Sequence, residues 1–272
     1  MNRVFRDPMA LLGLTLLTPL LLGAALGPLM ADAALETHLE ARLLAPSAQH
    51  WFGTDALGRD VLARTLAGAA STLGLAFLVA LLAAPLGLLL GAVAGTLGSW
   101  AETILMNVTD IALAVPRLIL ALALAAALGP GLLNAAIAVA LTAWPPYARQ
   151  ARAETLSARQ ADFIAAARLC GASELRIALV HIAPLGLSSM LVRLSLDLAG
   201  IVLAAAGLGF LGLGAQPPAP EWGAMVAAGR THLIDAPWIA CFPGLAIVLA
   251  GLGFSLLGDA LRDMLDPRQE RC

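Results

Sequence analysis

The chain has no lysine, so all 16 of its basic side chains other than histidine are arginines. Charged residues make up 12% of the 272 residues and aromatic residues 5%. The missing lysine excludes a P-loop nucleotide site of the GxxxxGK[ST] type, because that loop needs its lysine to reach the phosphates. If ATP drives this protein, another chain must bind the nucleotide. The sparse charge leaves no basic patch for nucleic acid.

Cysteine and histidine are also scarce. The three cysteines, Cys170, Cys241 and Cys272, show no CxxC spacing, and we expect free thiols. None of the four histidines pairs with another at metal-ligand spacing, so the sequence predicts no metal site.

Apolar residues dominate: 60% of the chain is hydrophobic and the mean hydropathy is +0.87. A soluble core cannot bury so much apolar helix surface, so we predict an all-α polytopic membrane protein with one domain, residues 1–272. Six segments have the composition and approximate length of membrane-spanning helices. They are residues 9–31, 68–95, 102–127, 132–147, 187–213 and 237–258.

The first of these segments is longer than the apolar region of a signal peptide, and we expect it to remain as an anchor. In the second, Gly87, Gly91 and Gly95 repeat every four residues on one helix face. Such a row of small residues predicts close contact with another helix.

The arginines indicate which loops face the cytoplasm. Most of them lie near the two termini or in the loop 148–186, which holds Arg149, Arg152, Arg159, Arg168 and Arg176. Because positively charged loops tend to stay in the cytoplasm, we predict that both termini and the loop 148–186 are cytoplasmic.

Within that loop, residues 159–184 form a polar, amphipathic segment between two apolar stretches. Phe163, Ile164 and Ala167 lie at helical spacing and predict the apolar face of a first short helix. A structured polar segment on one side of a membrane protein is typical of a site that meets a soluble partner.

The same segment contains signals for a turn and a second helix. Gly171 suits a left-handed C-cap, Ser173 an N-cap, and Glu174 the first turn that follows. Pro184 is predicted to disrupt the second helix as the chain returns to the membrane. The segment is therefore predicted to be a helix-turn-helix.

Several motifs carry a family resemblance. Residues 165–171, AAARLCG, resemble the cytoplasmic Glu-Ala-Ala…Gly signature of the inner-membrane permeases of binding-protein-dependent ABC importers, with Ala165 in place of the glutamate. Three further stretches resemble elements of the peptide/nickel branch of these permeases. They are HWFGTDALGRD (50–60), FLGLGAQPPAPEWG (210–223) and LGDALRDMLDP (257–267).

The resemblance implies the type I ABC importer permease fold, with six transmembrane helices and a cytoplasmic helix-turn-helix coupling loop. It further implies a bacterial inner-membrane complex with a second homologous permease, two ABC ATPase subunits and a periplasmic substrate-binding protein. ATP and Mg would bind to the ATPases, so this chain is expected to hold no cofactor and to be no enzyme. The residues implied to couple to the ATPase are Phe163, Ile164, Ala165, Ala166, Ala167, Arg168, Gly171, Ala172 and Ser173.

Two features favour nickel or a metal chelate as the substrate, with a dipeptide or oligopeptide as the alternative. Residues 43–51 resemble the nickel permease C subunit more than its peptide relatives. Peptide permeases often carry a glutamate at the position of Ala205, where it would pair with a peptide ammonium group. The nickel permease has a histidine at the position of Ala204, so a metal crossing here would be hydrated or chelated.

Four charged residues lie inside the predicted spans, away from the span ends: Asp110, Arg117, Arg193 and Asp197. Charges are costly there and usually face the bundle interior or a water-filled path. Asp110 and Arg117 flank Pro116, which can kink the third span. Arg193 and Asp197 have the i, i+4 spacing that permits an ion pair. A role in the translocation path and a purely structural role both remain open.

Glu221 and Trp222 lie in the outer loop after the fifth predicted span. They are candidates for contact with the periplasmic binding protein, although Trp222 could instead anchor the loop at the membrane interface.

Two other classes fit less well. An ion-coupled secondary transporter would have more spans, inverted repeats and polar groups near the membrane midplane. A membrane-embedded enzyme would show converging His, Asp or Glu side chains, or motifs such as HExxH and GxSxG, which the sequence lacks.

Overall fold

The computed structural model describes residues 7–265, and within them the chain folds into helices joined by turns and loops. The α-helices are α1 (Pro8–Leu26), α2 (Ala31–Leu35), α3 (Val61–Leu97), α4 (Ser99–Ala114), α5 (Arg117–Leu128), α6 (Leu132–Ala158), α7 (Asp162–Leu169), α8 (Glu174–Arg176), α9 (Leu187–Phe210), α10 (Trp222–Gly229) and α11 (Trp238–Leu265). A π-helical turn, Ile177–Ile182, continues α8. The terminal arginines, Cys272 and the end of the 257–267 motif lie outside the described residues.

Four helical segments of the described chain are long and apolar enough to cross a membrane. They are Pro8–Met30, Val61–Leu97, Leu187–Phe210 and Trp238–Met264. A fifth is added if α4 and α5 together form one broken span. The sequence predicted six spans, and the structure differs from that prediction at the third and the fourth.

The predicted third span, 102–127, is not one helix. α4 and α5 meet at an angle of 94°. Val115 and Pro116 are extended, with ψ of 134° and 122°, and α5 begins at Arg117. Proline has no N–H to continue the helix, and it also disfavours helical geometry in the residue before it. The predicted kink is therefore a complete break.

The predicted fourth span, 132–147, is the first half of a longer helix. α6 runs on to Ala158 through Arg149, Arg152 and Glu154, which lower its mean hydropathy. Its buried face packs along α3 and contacts α5 and α9. Because its neighbours cover so much of it, α6 needs less apolar surface than a helix surrounded by lipid.

The glycine row of α3 is the contact with α6. A Cβ atom added at Gly87 would lie 2.5 Å from the Tyr147 Cβ, and one at Gly95 would lie 2.7 Å from the Thr155 Cβ. One added at Gly91 would collide with the Ala148 carbonyl. The predicted close helix contact is confirmed, because side chains at these positions would push the two backbones apart.

Residues 50–60 form the compact turn that starts α3. The Asp55 carboxylate accepts bonds from the Arg59 amide (3.0 Å) and the Arg59 Nε (2.7 Å). Asp60 caps the helix by accepting from the Ala63 amide at 2.9 Å. Gly58 has a φ of +74° and faces the His38 carbonyl so closely that a Cβ could not fit. This motif therefore fixes where the long helix begins.

Candidate functional site

The segment 159–184 folds as two short helices joined by a tight turn at Gly171, whose φ is +81°. The Gly171 amide donates to the Arg168 carbonyl at 2.9 Å. The Ala172 amide donates to the Ala167 carbonyl at 3.0 Å. These two bonds form a Schellman motif, which ends a helix with a left-handed residue. The predicted C-cap at Gly171 is confirmed.

The second helix starts as predicted at Ser173, whose hydroxyl accepts from the Arg176 amide at 3.3 Å. Glu174 also closes the turn, because it accepts two bonds from Arg168, at 2.8 and 3.1 Å. The hydrogen bond to Arg168 lowers the pKa of Glu174, and the same bond raises the pKa of Arg168. This ion pair was not predicted from the sequence. A basic residue six positions before an acidic one, with a glycine turn between them, is a pattern that could have indicated it.

The predicted apolar face of α7 divides in two. Ile164 is fully buried and packs with Ile177 and Ile182 in a small core of the segment's own. Phe163 is 48% exposed and Leu169 is 90% exposed. The segment thus has an internal core and also exposes large apolar side chains, which include Leu175, Leu179 and Val180 of its second half. Four of the other predicted coupling residues are exposed: Ala165, Ala166, Gly171 and Ser173. The remaining three, Ala167, Arg168 and Ala172, are half-buried.

An ion pair links the broken span to α9. The Arg117 Nη1 donates to the Asp197 Oδ1 at 2.8 Å. The hydroxyl of Tyr147, a fully buried residue of α6, donates to the other carboxylate oxygen at 3.0 Å. Three helices therefore meet at the Asp197 carboxylate. The Nε and Nη2 atoms of Arg117 are buried and have no hydrogen-bond partner among the described residues.

The i, i+4 pair predicted between Arg193 and Asp197 does not form. Arg193 lies over the Tyr147 ring, 5.7 Å from its centroid, and its Nη1 is 3.4 Å from the Gln150 Oε1. One carboxylate oxygen of Asp197 accepts from Arg117 and the other accepts from Tyr147, so Asp197 is paired across the bundle and not along α9. Three of the four predicted intramembrane charges thus lie around Tyr147.

Asp110, the fourth predicted charge, does not join this cluster. It pairs with Arg149 at 2.6 Å, and both side chains are more than half exposed. Glu102 accepts from the Arg152 Nε at 2.7 Å. These two pairs connect α4 to the polar half of α6, so their geometry assigns them a role in helix packing.

Glu221 and Trp222 are not available to a partner, and the predicted contact with a binding protein is corrected. They are 2% and 0% exposed. Glu221 caps α10 by accepting from the Gly223 and Ala224 amides at 2.8 and 2.9 Å. The Trp222 Nε1 donates to the Thr65 carbonyl at 2.8 Å. The outer loop folds back against α3 and α9, so these side chains fix the loop to the bundle.

We therefore expect Trp222→Ala to destabilise the protein by about 3–5 kcal/mol, because it leaves a large cavity in a packed site. Trp51→Ala is the matched control, since Trp51 is 70% exposed and its truncation should cost much less. Unfolding of the purified protein in detergent measures both. Unchanged stability of Trp222→Ala together with weaker binding of the binding protein would restore the partner role.

No group of three or more His, Cys, Asp or Glu side chains that could hold a metal ion occurs within residues 7–265. The His50 Nδ1 lies 2.9 Å from the Asp60 Oδ2, beside the N-terminus of α3. Cys170 and Cys241 are free and exposed.

Long apolar helices, charges paired between helices, and a polar helical hairpin at one end of the bundle define a membrane-embedded helical protein. The chain belongs to the family of binding-protein-dependent transport system inner membrane components, whose model matches residues 87–271. It is therefore a permease subunit of an ABC importer and not an enzyme. Members of this family work with ATPase and substrate-binding partners.

Several curated relatives are similar over most of their length. The probable D,D-dipeptide transport system permease protein DdpC of Escherichia coli (strain K12) is 48% identical over 85% of this chain and 77% of its own. The dipeptide transport system permease protein DppC of Alkalihalophilus pseudofirmus is 42% identical over 97% of this chain and 88% of its own. The glutathione transport system permease protein GsiD of Pectobacterium atrosepticum is 44% identical over 82% and 74%.

Proposed function

We propose that this chain is a permease subunit of an importer for short peptides. The observation that carries the proposal is the set of relatives, which are similar over 74% or more of their length and are named for dipeptide, D,D-dipeptide or glutathione transport. These names support a peptide as the substrate. They do not support nickel or a metal chelate, the substrate that the sequence features favoured.

The structure also weakens the argument that favoured nickel. The missing glutamate at Ala205 favoured nickel or a metal chelate, and the missing histidine at Ala204 indicated that a metal would cross in hydrated or chelated form. Ala205 is 2% exposed and both alanines belong to the main hydrophobic core. Side chains buried in helix packing do not face a path in this conformation, so their identity is weak evidence on what is transported.

The proposed complex contains a second homologous permease, two ATPase subunits that bind ATP and Mg, and a periplasmic substrate-binding protein. Segment 159–184 would contact one ATPase from the cytoplasm, with both termini of the chain on the same side of the inner membrane. Phe163 and Leu169 contribute exposed apolar surface to this contact.

Coupling requires a segment that moves without deforming. The internal core of Ile164, Ile177 and Ile182 and the Arg168–Glu174 pair hold the two short helices together. When ATP draws the ATPases together, the segment would therefore shift as one body and pass the movement to α6 and α9 at its two ends. The interior charges around Tyr147 lie where such a movement could alter the translocation path.

Uptake in a strain that lacks this chain tests the proposal. We expect the wild-type gene to restore uptake of labelled L-alanyl-L-alanine, and nickel uptake to be unaffected with or without histidine as chelator. A gene carrying Ala166→Pro is the matched control for membrane insertion without coupling. Restored nickel uptake without restored peptide uptake would overturn the proposal.

A further inference from the structure

A cavity of about 790 Å³ lies beside the charge cluster. Its wall comes from α3, α6, α9, the end of α11 and the residues that connect segment 159–184 to α9. Leu185 and Gly186 belong to that connection, and Ile182 lies near the end of the segment itself. The cavity is therefore at the end of the bundle where the docking segment attaches. Its size is within the range of about 300–1,000 Å³ that is typical of small-molecule sites.

Three charged side chains line this cavity: Glu154, Arg193 and Arg262. Neither arginine has a carboxylate within salt-bridge distance in the part of the chain that the structure describes, and Glu154 likewise has no cationic partner there. Glu154 accepts a bond from the Gln150 amide at 3.0 Å. Among the residues that the structure describes, the cavity thus contains charges of both signs that have no oppositely charged partner.

Arg193 is held in place without being neutralised. The Tyr147 ring lies under its guanidinium group, and its Nε is buried with no hydrogen-bond partner among the described residues. Asp197, one turn further along α9, is occupied by Arg117 and Tyr147. A buried charged donor that lacks a partner costs free energy, and the usual partner of a guanidinium group is a carboxylate.

We propose that this cavity binds the transported peptide in its free, zwitterionic form. The peptide carboxylate is bound by Arg193, with Arg262 contributing to the local positive charge, and the peptide ammonium group is bound by Glu154. The inference rests on the proposed function, because it takes a peptide as the ligand. It adds a peptide site within the permease, next to the coupling segment and separate from the site of the binding protein.

The charges of the cavity favour a zwitterion over a singly charged ligand. The cavity has unpaired groups of opposite sign, and a peptide carries one charge of each sign. Ser157, Ser188 and Ser189 add polar groups for the peptide bond, and the apolar remainder of the wall, including Leu88 and Leu196, suits side chains. A metal ion would need several carboxylates or histidines, and among the described residues that line the cavity Glu154 is the one of these types.

Equilibrium binding to the purified importer in nanodiscs, without the binding protein, tests the site. The probes are labelled L-alanyl-L-alanine, its C-terminal amide and its N-acetyl derivative. We expect saturable binding of the dipeptide and at least tenfold weaker binding of each modified form. In Arg193→Gln, amidation should no longer weaken binding, whereas N-acetylation still should. In Glu154→Gln, the pattern should be reversed.

Arg149→Gln is the matched control, because it removes an arginine from the same helix as Glu154 but outside the cavity. It should leave all three affinities unchanged. If Arg193→Gln fails to fold, Arg193→Lys replaces it and should reduce the effect of amidation without abolishing it. Absence of saturable binding, equal affinity for the three probes, or variants that keep the wild-type pattern would overturn the site.

These failures are distinguishable from failure of the proposed function. If cells import the dipeptide but the nanodisc experiment shows no site, the cavity assignment is wrong and the peptide importer stands. If cells with the wild-type chain import no peptide, the proposed function itself is wrong.

Discussion

Ala166→Pro in α7 is expected to reduce transport to less than about a tenth of the wild-type rate while the chain inserts normally. Ala166 is the fifth of the eight residues of α7. Proline there removes the N–H that bonds to the carbonyl four residues back and clashes with it, which costs about 3 kcal/mol in a helix interior. So short a helix cannot absorb that cost. Ile164 would leave its core and Arg168 would lose its alignment with Glu174.

Asp162→Pro is the matched control for the same chemical change. Asp162 is the first residue of α7, and Ala161 before it is extended with ψ of 143°. Proline is tolerated at the first helical position and after an extended residue, so this variant should keep most of its transport activity. Peptide uptake and the amount of chain in isolated membranes are measured for both variants. Normal uptake by Ala166→Pro would show that the helical form of this segment is not needed for coupling.

The features predicted correctly depend on neighbours in sequence. Gly171 and Ser173 act through backbone groups within a few residues of themselves, so the turn and the cap could be predicted without the fold. The four-residue spacing of Gly87, Gly91 and Gly95 predicts a helix contact. Their partner, α6, could not be identified, because spacing on one helix carries no information about the other.

The errors in the charge cluster have the opposite origin. The i, i+4 spacing of Arg193 and Asp197 indicates that a pair is possible, but the bundle provides a competing donor 80 positions away in sequence, Arg117. Pro116 predicted a kink in the third span, but the sequence did not predict that α5 would leave the break at 94° to α4 with Arg117 paired to Asp197 of α9. Which of two possible cations pairs with a carboxylate depends here on the packing of the whole bundle and not on local spacing.

Glu221 and Trp222 were placed outside the bundle because polar and aromatic residues between two apolar spans usually lie at the membrane surface. The structure instead uses the glutamate as a helix cap, with the Thr72 hydroxyl at 3.4 Å, and the tryptophan as a wedge against α3. Gly209 makes room for the Glu221 carboxylate, since a Cβ there would collide with it. That match between a small residue and a large one is visible only in three dimensions.

Asp197→Asn is expected to destabilise the protein by about 3–5 kcal/mol, because it leaves the partly buried charge of Arg117 without its counter-ion. Double-variant cycles separate the two possible partners of Asp197. The cycle of Arg117→Gln with Asp197→Asn should give a coupling energy of about 1–3 kcal/mol. The cycle of Arg193→Gln with Asp197→Asn should give a smaller coupling energy, because these two residues interact only through their shared neighbour Tyr147. Equilibrium unfolding in mixed micelles measures both.

A larger coupling energy for Arg193 than for Arg117 would contradict the observed pairing and reinstate the contact within α9. The expected order has a consequence for the rest of the bundle. If Asp197 belongs to Arg117, the pair fastens α5 to α9 immediately after the break at Pro116, and it does so at the cost of any neutralisation of Arg193. The charge on Arg193 then remains available to the cavity beside it, which connects the stability of the broken span to the chemistry of the proposed peptide site.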